Sequence, residues 1–260
     1  MAMRRVLLVL LGVVLTMGTL TAPASAVPRQ EVYWRPIPYN GQKYQTVRLD
    51  CPAGMKATGG GVIGDGVPHI SGSRSVGNGA GWELIVWQEN PRDLNVTIAC
   101  WSGLTQFTSL TTWTDVAPGA IGSASNLCPA RSRTFLGGGA YASDPSMPLK
   151  NFASYYDYGW QASYRNTTAV QQRVYVQVIC AEGLTARRWE TTRGEHMTDS
   201  FISATLYCPA GTDVVSGGAL GPNVEGQWVL SPTETITGWE VASEREGDDT
   251  FFQARVLCAY

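Results

Sequence analysis

The chain has 260 residues, of which only 15% are charged, and a formal net charge of −2. That balance excludes the strongly basic face of a nucleic-acid-binding protein and the polybasic stretch of an electrostatic membrane anchor. Its 29 glycines and 9 tryptophans suit a β-rich chain with many tight turns.

Residues 1–26 read as an export signal. Arg4 and Arg5 give a basic start, Val6 to Leu20 an apolar stretch, and Ala24-Ser25-Ala26 a small-x-small cleavage site. The residues around the arginine pair fit general export better than the twin-arginine route. No later stretch is long and apolar enough for a membrane helix. The mature chain is therefore expected to be soluble and secreted. In an oxidising compartment its six cysteines predict three disulfides, since neither C-x2-C spacing nor nearby histidines suggest a metal.

Residues 27–46 form an extended arm, Tyr33-Trp34-Arg35-Pro36-Ile37-Pro38-Tyr39 at its centre, in which prolines and aromatics exclude a helix. It either packs back as an edge strand or docks on another protein by strand addition. Beyond it one pattern is written three times. The first copy, 30–104, holds Cys51-Pro52-Ala53-Gly54, Gly59-Gly60-Gly61, Gly81-Trp82 and Cys100. The second, 105–184, holds Cys128-Pro129-Ala130, Gly137-Gly138-Gly139, Gly159-Trp160 and Cys180. The third, 185–260, holds Cys208-Pro209-Ala210-Gly211, Gly217-Gly218, Gly238-Trp239 and Cys258. Trp34, Trp113 and Trp189 precede the opening cysteines and align as a further repeated feature. A fixed period of this kind decides architecture before any residue is read for chemistry.

Alternating apolar residues predict strands throughout, and no stretch has a helical period. Each Gly-Trp strand and the following closing strand read as a hairpin: Trp82–Trp87 with Leu94–Cys100, Trp160–Tyr164 with Val174–Cys180, and Trp239–Ser243 with Phe252–Cys258. The turns between them fall at Asn90–Asp93, Asn166–Thr168 and Glu246–Asp249. The period of two turns each closing cysteine inward with the core. The glycine runs read as tight bends or close backbone approaches, and the repeated tryptophans as core. Two symmetric disulfide patterns fit the repetition. Bridges within copies join Cys51–Cys100, Cys128–Cys180 and Cys208–Cys258. Bridges between copies join Cys100–Cys128 and Cys180–Cys208, with Cys258 closing on Cys51.

The expected fold is all-β: three tandem disulfide-stapled repeats in one pseudo-threefold body, with three small sandwiches in tandem as the alternative. The Cys-Pro-Ala, glycine-run and apolar-x-Cys repeats resemble, in plan, the threefold β-prism of the secreted vitelline membrane outer layer proteins. Their wording is similar to a module of exported actinobacterial proteins. In copy two Arg131 stands where that module has glycine. In size and plan the chain also resembles the small subunits of umbrella-type antibacterial particles, which implies an adaptor role in a secreted assembly.

No catalytic constellation is legible, and no cofactor or metal is implied. The chain has two histidines, His69 and His196, and lacks a G-x-S-x-G elbow. Glu195, His196 and Asp199 form an acid–histidine cluster without further ligands. Asp157, Glu195, Glu225, Asp248 and Asp249 are candidates for a glycosidase pair, and none has a context that predicts burial. Binding fits better: a threefold body presents a groove or loop cluster three times, and multivalency multiplies weak affinities. The candidate contact residues are Tyr155, Tyr156, Asp157 and Tyr158, an aromatic cluster that the other copies lack, together with Tyr33 and Trp34 of the arm. The partner is a surface glycan or a secreted protein. Asn95 and Asn166 begin glycosylation sequons that matter only in a eukaryotic host.

Overall fold

The computed structural model describes residues 28–63, 69–87, 93–129, 134–155, 158–184, 187–193, 195–196, 201–220, 231–232, 238–244 and 253–259. The predicted signal segment and the predicted turns at 246–249 and about 90 lie outside them, Asp93 excepted. The described residues form nineteen strands and no helix. Copy one supplies β1 (Gln30–Ile37), β2 (Tyr44–Asp50), β3 (Lys56–Ile63), β4 (His69–Val76), β5 (Gly81–Trp87) and β6 (Leu94–Trp101). Copy two supplies β7 (Thr105–Val116), β8 (Ile121–Leu127), β9 (Thr134–Ala142), β10 (Leu149–Tyr155), β11 (Gly159–Arg165) and β12 (Gln172–Glu182). Copy three supplies β13 (Arg187–Arg193), β14 (Glu195–His196), β15 (Phe201–Tyr207), β16 (Asp213–Leu220), β17 (Ser231–Pro232), β18 (Gly238–Glu244) and β19 (Gln253–Ala259).

The predicted hairpins do not form. Each Gly-Trp strand (β5, β11, β18) and the closing strand after it (β6, β12, β19) belong to different sheets. β5 lies between β2 and β4, while β6 lies between β1 and β3, and the later copies repeat that division. The physical reason is that both strands carry an apolar face. Trp82, Leu84 and Val86 on β5 and Val96, Ile98 and Cys100 on β6 are all buried. Two such faces can be buried face to face between sheets as well as side by side in one, and here the core shared by the copies takes them from different sheets.

The sheets also cut across the repeats. One runs β2-β5-β4-β9-β12-β7, joining copies one and two through Gly72↔Tyr141 and Ser73↔Ala140. Another runs β8-β11-β10-β16-β19-β13, joining copies two and three at Phe152↔Ala219. A three-stranded sheet β1-β6-β3 and a four-stranded sheet β14-β15-β18-β17 remain, and β17 touches β3. All four sheets are open. The arm supplies β1, an edge strand paired with β6 from Gln30↔Trp101 to Ile37↔Leu94.

Each glycine strand carries the same bulge: the residues left unpaired are Thr58, Leu136 and Val215, all buried. These strands, β3, β9 and β16, each touch the other two. There the Thr58 hydroxyl donates to the Val215 carbonyl at 2.7 Å. The glycine two residues after each bulge has a specific job. A Cβ on Gly60, Gly138 or Gly217 would collide with the indole of Trp82, Trp160 or Trp239 of the same copy. The glycine run and the Gly-Trp step are thus two halves of one packing device. Gly139 and Gly218 serve another, because a Cβ there would strike the backbone of β4 at Ser73 and of β10 at Phe152.

The disulfides join Cys51–Cys100, Cys128–Cys180 and Cys208–Cys258, within copies. Closing loops of about fifty residues, each removes roughly 4 kcal/mol of unfolded-chain entropy in the loop-closure picture. Cys-Pro-Ala-Gly is a tight turn: Met55 N–H donates to Pro52 O at 3.0 Å and Thr212 N–H to Pro209 O at 3.0 Å. Gly54 and Gly211 take the positive φ needed by the third residue of the turns Pro52–Met55 and Pro209–Thr212, 85° and 83°. Arg131 lies outside the described residues.

The aligned tryptophans of the arms are not equivalent. Trp34 faces Thr97, Trp113 faces Tyr175 and Trp189 faces Leu257, three different rungs before the closing cysteine. The unequal spacing to the opening cysteines is thus a shift along the strand, not a loop difference. Asn166 organises its predicted turn: its buried amide donates to Val116 O and Val170 O, both at 2.8 Å. That burial closes the second sequon to a glycan, whereas Asn95 is exposed on β6.

Candidate functional site

The residues singled out in the sequence stand apart. Tyr33 and Trp34 lie on β1; Trp34 is 66% exposed, while the Tyr33 hydroxyl is held by the Glu31 carboxylate, which raises its pKa. Tyr155 ends β10 and Tyr158, 49% exposed, precedes β11, the neighbouring strand of a sheet that does not contain β1; the Tyr158 carbonyl accepts from Cys128 N–H. The side chain of Tyr155 and the whole of Tyr156 and Asp157 lie outside the described residues, as do Asp199, Glu225, Asp248 and Asp249 and the side chains of His69, Glu195 and His196. Among the described residues no group of three or more His, Cys, Asp or Glu could hold a metal, and no helix is long and apolar enough to cross a membrane.

A richer surface lies on the outer face of the sheet that joins copies one and two. Pairing places Thr46, Ile85, Gly72, Tyr141, Tyr175 and Trp113 in one row across its six strands. Tyr141 and Tyr175 stack face to face, centroids 4.6 Å apart and planes at 7°. The Arg74 guanidinium lies 4.2 Å from the Tyr141 ring centre and is tied to Glu83 by an Nε–Oε1 bond of 2.7 Å. The Arg173 guanidinium lies 3.9 Å from the Trp113 ring centre. It is bonded to Asp115 and the Tyr175 hydroxyl, which raise its pKa. Both arginines are therefore paired, and they cover ring faces as planar cations do.

Tyr44 and Trp87 form a second aromatic pair beside this ladder, at 6.5 Å, and the Lys43 ammonium sits 5.7 and 5.2 Å from their centroids. Burial and, second, the Asp144 charge raise the Tyr44 pKa, so its hydroxyl is a donor across the physiological range. The loop from Ser143 to Pro148 crosses the face. Asp144 Oδ1 accepts from the backbone and hydroxyl of Ser146, and the fully buried Met147 pins the loop down. This loop divides the surface into two adjoining cavities that share Tyr44 and Pro145. One, of 370 Å³, is walled mainly by Ile70, Trp87, Met147, Pro148 and Leu149, with Lys43 at its rim. The other, of 530 Å³, is walled by Thr46, Arg74, Tyr141, Ser143 and Tyr175. Both volumes fall in the range of small-molecule sites.

The groove breaks the repetition. The rungs that hold Tyr141, Tyr175 and Trp113 hold Ile63, Asn95 and Pro36 in copy one and Leu220, Gln253 and Arg193 in copy three. Where copy one has Tyr44 opposite Trp87, copy two has Ile121 opposite Arg165 and copy three Phe201 opposite Glu244. The expectation of one surface presented three times is thus corrected: the scaffold repeats and this aromatic surface does not. The signal was present in the sequence as aromatics at outward positions, such as Trp87 after the buried Val86. It was invisible without the strand register that aligns the copies.

These features define a cysteine-stapled all-β protein. The chain matches no protein-family model, and no curated protein matches it.

Proposed function

We propose that this chain is a secreted, non-enzymatic binding module that recognises a surface glycan, and that its copies close into one threefold prism-like body. The observation that carries the binding role is the aromatic, hydroxyl-lined groove at the junction of copies one and two, unmatched in the equivalent positions. Scaffold features recur three times here. An unrepeated cluster of rings and hydroxyls on an outer sheet face is a feature the fold does not require. The threefold reading is supported by the mutual contact of β3, β9 and β16 and by the touch of β17 on β3. The disulfides favour an extracellular setting.

The test is retention on purified cell-wall and glycan panels. Tyr44→Ala and Trp87→Ala should each weaken it about tenfold, and Tyr155→Ala with Tyr156→Ala should leave it unchanged. Loss in the second pair alone would move the site to the tyrosine cluster. No retention on any glycan would end the reading.

A second reading is an adaptor in a secreted, antibacterial-type assembly. Trp34 is 66% exposed on β1, whose outer edge has no sheet neighbour among the described residues, so a partner strand could add there. Trp34→Asp would then remove a co-purifying protein from culture supernatant, and unchanged co-purification would exclude it.

A further inference from the structure

Resting on the glycan reading, we infer that the groove takes an N-acylated acidic sugar, with the acyl group in the 370 Å³ cavity, the carboxylate at Lys43 and the ring hydroxyls in the adjoining cavity. Three properties of the surface point to the three parts of that ligand.

The first cavity is mainly apolar. Ile70, Met147 and Leu149 are buried side chains in its wall, with Pro145, Pro148 and the Trp87 ring beside them. Ser71, Ser146 and Thr167 also line it, with the Ser71 and Ser146 hydroxyls donating to Ile85 O and Asp144, so it is the apolar side of this cavity that favours a methyl or short acyl group over a hydroxyl. The second cavity is more polar: beside Ile85, Ala142 and Pro145, it is lined by the hydroxyl-bearing Tyr44, Thr46, Tyr141, Ser143 and Tyr175. Such a wall can exchange hydrogen bonds with a polyhydroxylated ring.

Charge supplies the third part. The groove's arginines are committed, Arg74 to Glu83 and Arg173 to Asp115. The Asp144 carboxylate is turned to Ser146 of its own loop. Lys43 has no carboxylate within ion-pair distance among the described residues, and it stands at the mouth of the apolar cavity over Tyr44 and Trp87. It is therefore the cation left to meet an anion beside the acyl group. An acetamido group and a carboxylate on one pyranose occur in N-acetylmuramic acid of bacterial walls and in N-acetylneuraminic acid of animal glycans, and the two sources are separated by experiment.

The experiment is calorimetric titration of the mature, disulfide-intact protein with four soluble probes. These are N-acetylglucosaminyl-N-acetylmuramic acid, sialyllactose, N,N′-diacetylchitobiose (hereafter chitobiose), which has the acetyl group without the carboxylate, and its de-N-acetylated form. One acidic sugar should bind about tenfold tighter than chitobiose, the scale of one charged hydrogen bond, and chitobiose tighter than its deacetylated form. Lys43→Gln should cancel the first gap and keep the second, with an unchanged melting temperature. Which acid wins identifies the source. Equal affinity for all four sugars, or a gap untouched by Lys43→Gln, overturns the inference and leaves the glycan reading standing. Binding of none of the four, together with no retention on any glycan panel, overturns both.

Discussion

The junction between copies one and two and the junction between copies two and three use one backbone plan with different side chains. In each, the fourth strand of one copy pairs with the glycine strand of the next, β4 with β9 and β10 with β16. In each, the closing strand reaches across to the same backbone position. Gln177 accepts from Ser75 N–H at 2.7 Å and donates to Ser75 O at 3.1 Å. Arg255 donates to Ser154 O at 2.9 Å. The equivalent pair between copies three and one is Thr97 and Pro232; Thr97 turns to Gly61 O, and proline has no N–H to satisfy. On the outer face the junctions part. The first carries a ladder of tyrosine, tryptophan and arginine. The second carries Ser123, Ser163, Asn151 and Gln253, with Asn151 bonded to the Ser163 hydroxyl at 2.8 Å. Backbone demands are therefore constant, and the outward face is free to diverge.

The largest expected effect attacks what the junctions share. Gly139→Val and Gly218→Val each drive a side chain into the backbone of the neighbouring copy. Each should cost about 3 kcal/mol or more by overpacking, lowering the melting temperature by roughly 10 °C in calorimetry. If only one of the two does so, the junctions are not built alike. Next comes the side-chain staple. Gln177→Ala leaves both backbone groups of Ser75 without their partner in a buried site and should cost about 1–3 kcal/mol in denaturant unfolding, with m unchanged.

A smaller effect separates the outer faces. Trp87→Ala should weaken glycan binding about tenfold, the scale of one buried aromatic contact, while Arg165→Ala at the equivalent rung of copy two should leave it unchanged. Equal losses would return the site to the symmetric scaffold. The smallest involves Tyr164, fully buried, whose hydroxyl donates to Ser71 O of copy one at 3.2 Å. Burial pushes its pKa well above the usual value, so the folded state keeps the proton that the unfolded chain releases near pH 10. The stability it contributes is therefore complete below about pH 10 and declines as pH rises beyond that. Tyr164→Phe should cost about 1 kcal/mol at pH 7 by loss of the hydrogen bond. Its deficit should shrink above pH 10, as read by urea midpoints across pH.

Much of the interior was legible because it follows from local rules. The inward alternation of Val174, Val176, Val178 and Cys180 needs only the period of two, and all four are buried. The glycine runs and Gly-Trp steps were readable as scaffold, although their contact with one another was not. The groove was not legible in this way. Tyr155 to Tyr158 drew notice because they are consecutive, whereas the groove assembles Tyr44, Trp87, Arg74, Tyr141 and Tyr175 from five strands of two copies. Nothing in their separation along the chain joins them.

From its sequence alone this chain was committed to β structure, threefold repetition and sulfur bridges, since alternation, period and cysteine count are properties of neighbouring residues. Tertiary structure decided which strands pair. Consecutive strands with apolar faces can lie side by side or face to face, and only the shared core of the three copies sends β5 and β6 to opposite sheets. The same choice sets β4 beside β9, and with it the surface where rings of two copies meet. Sheet partners are selected by the burial of whole faces, a quantity no stretch of sequence contains.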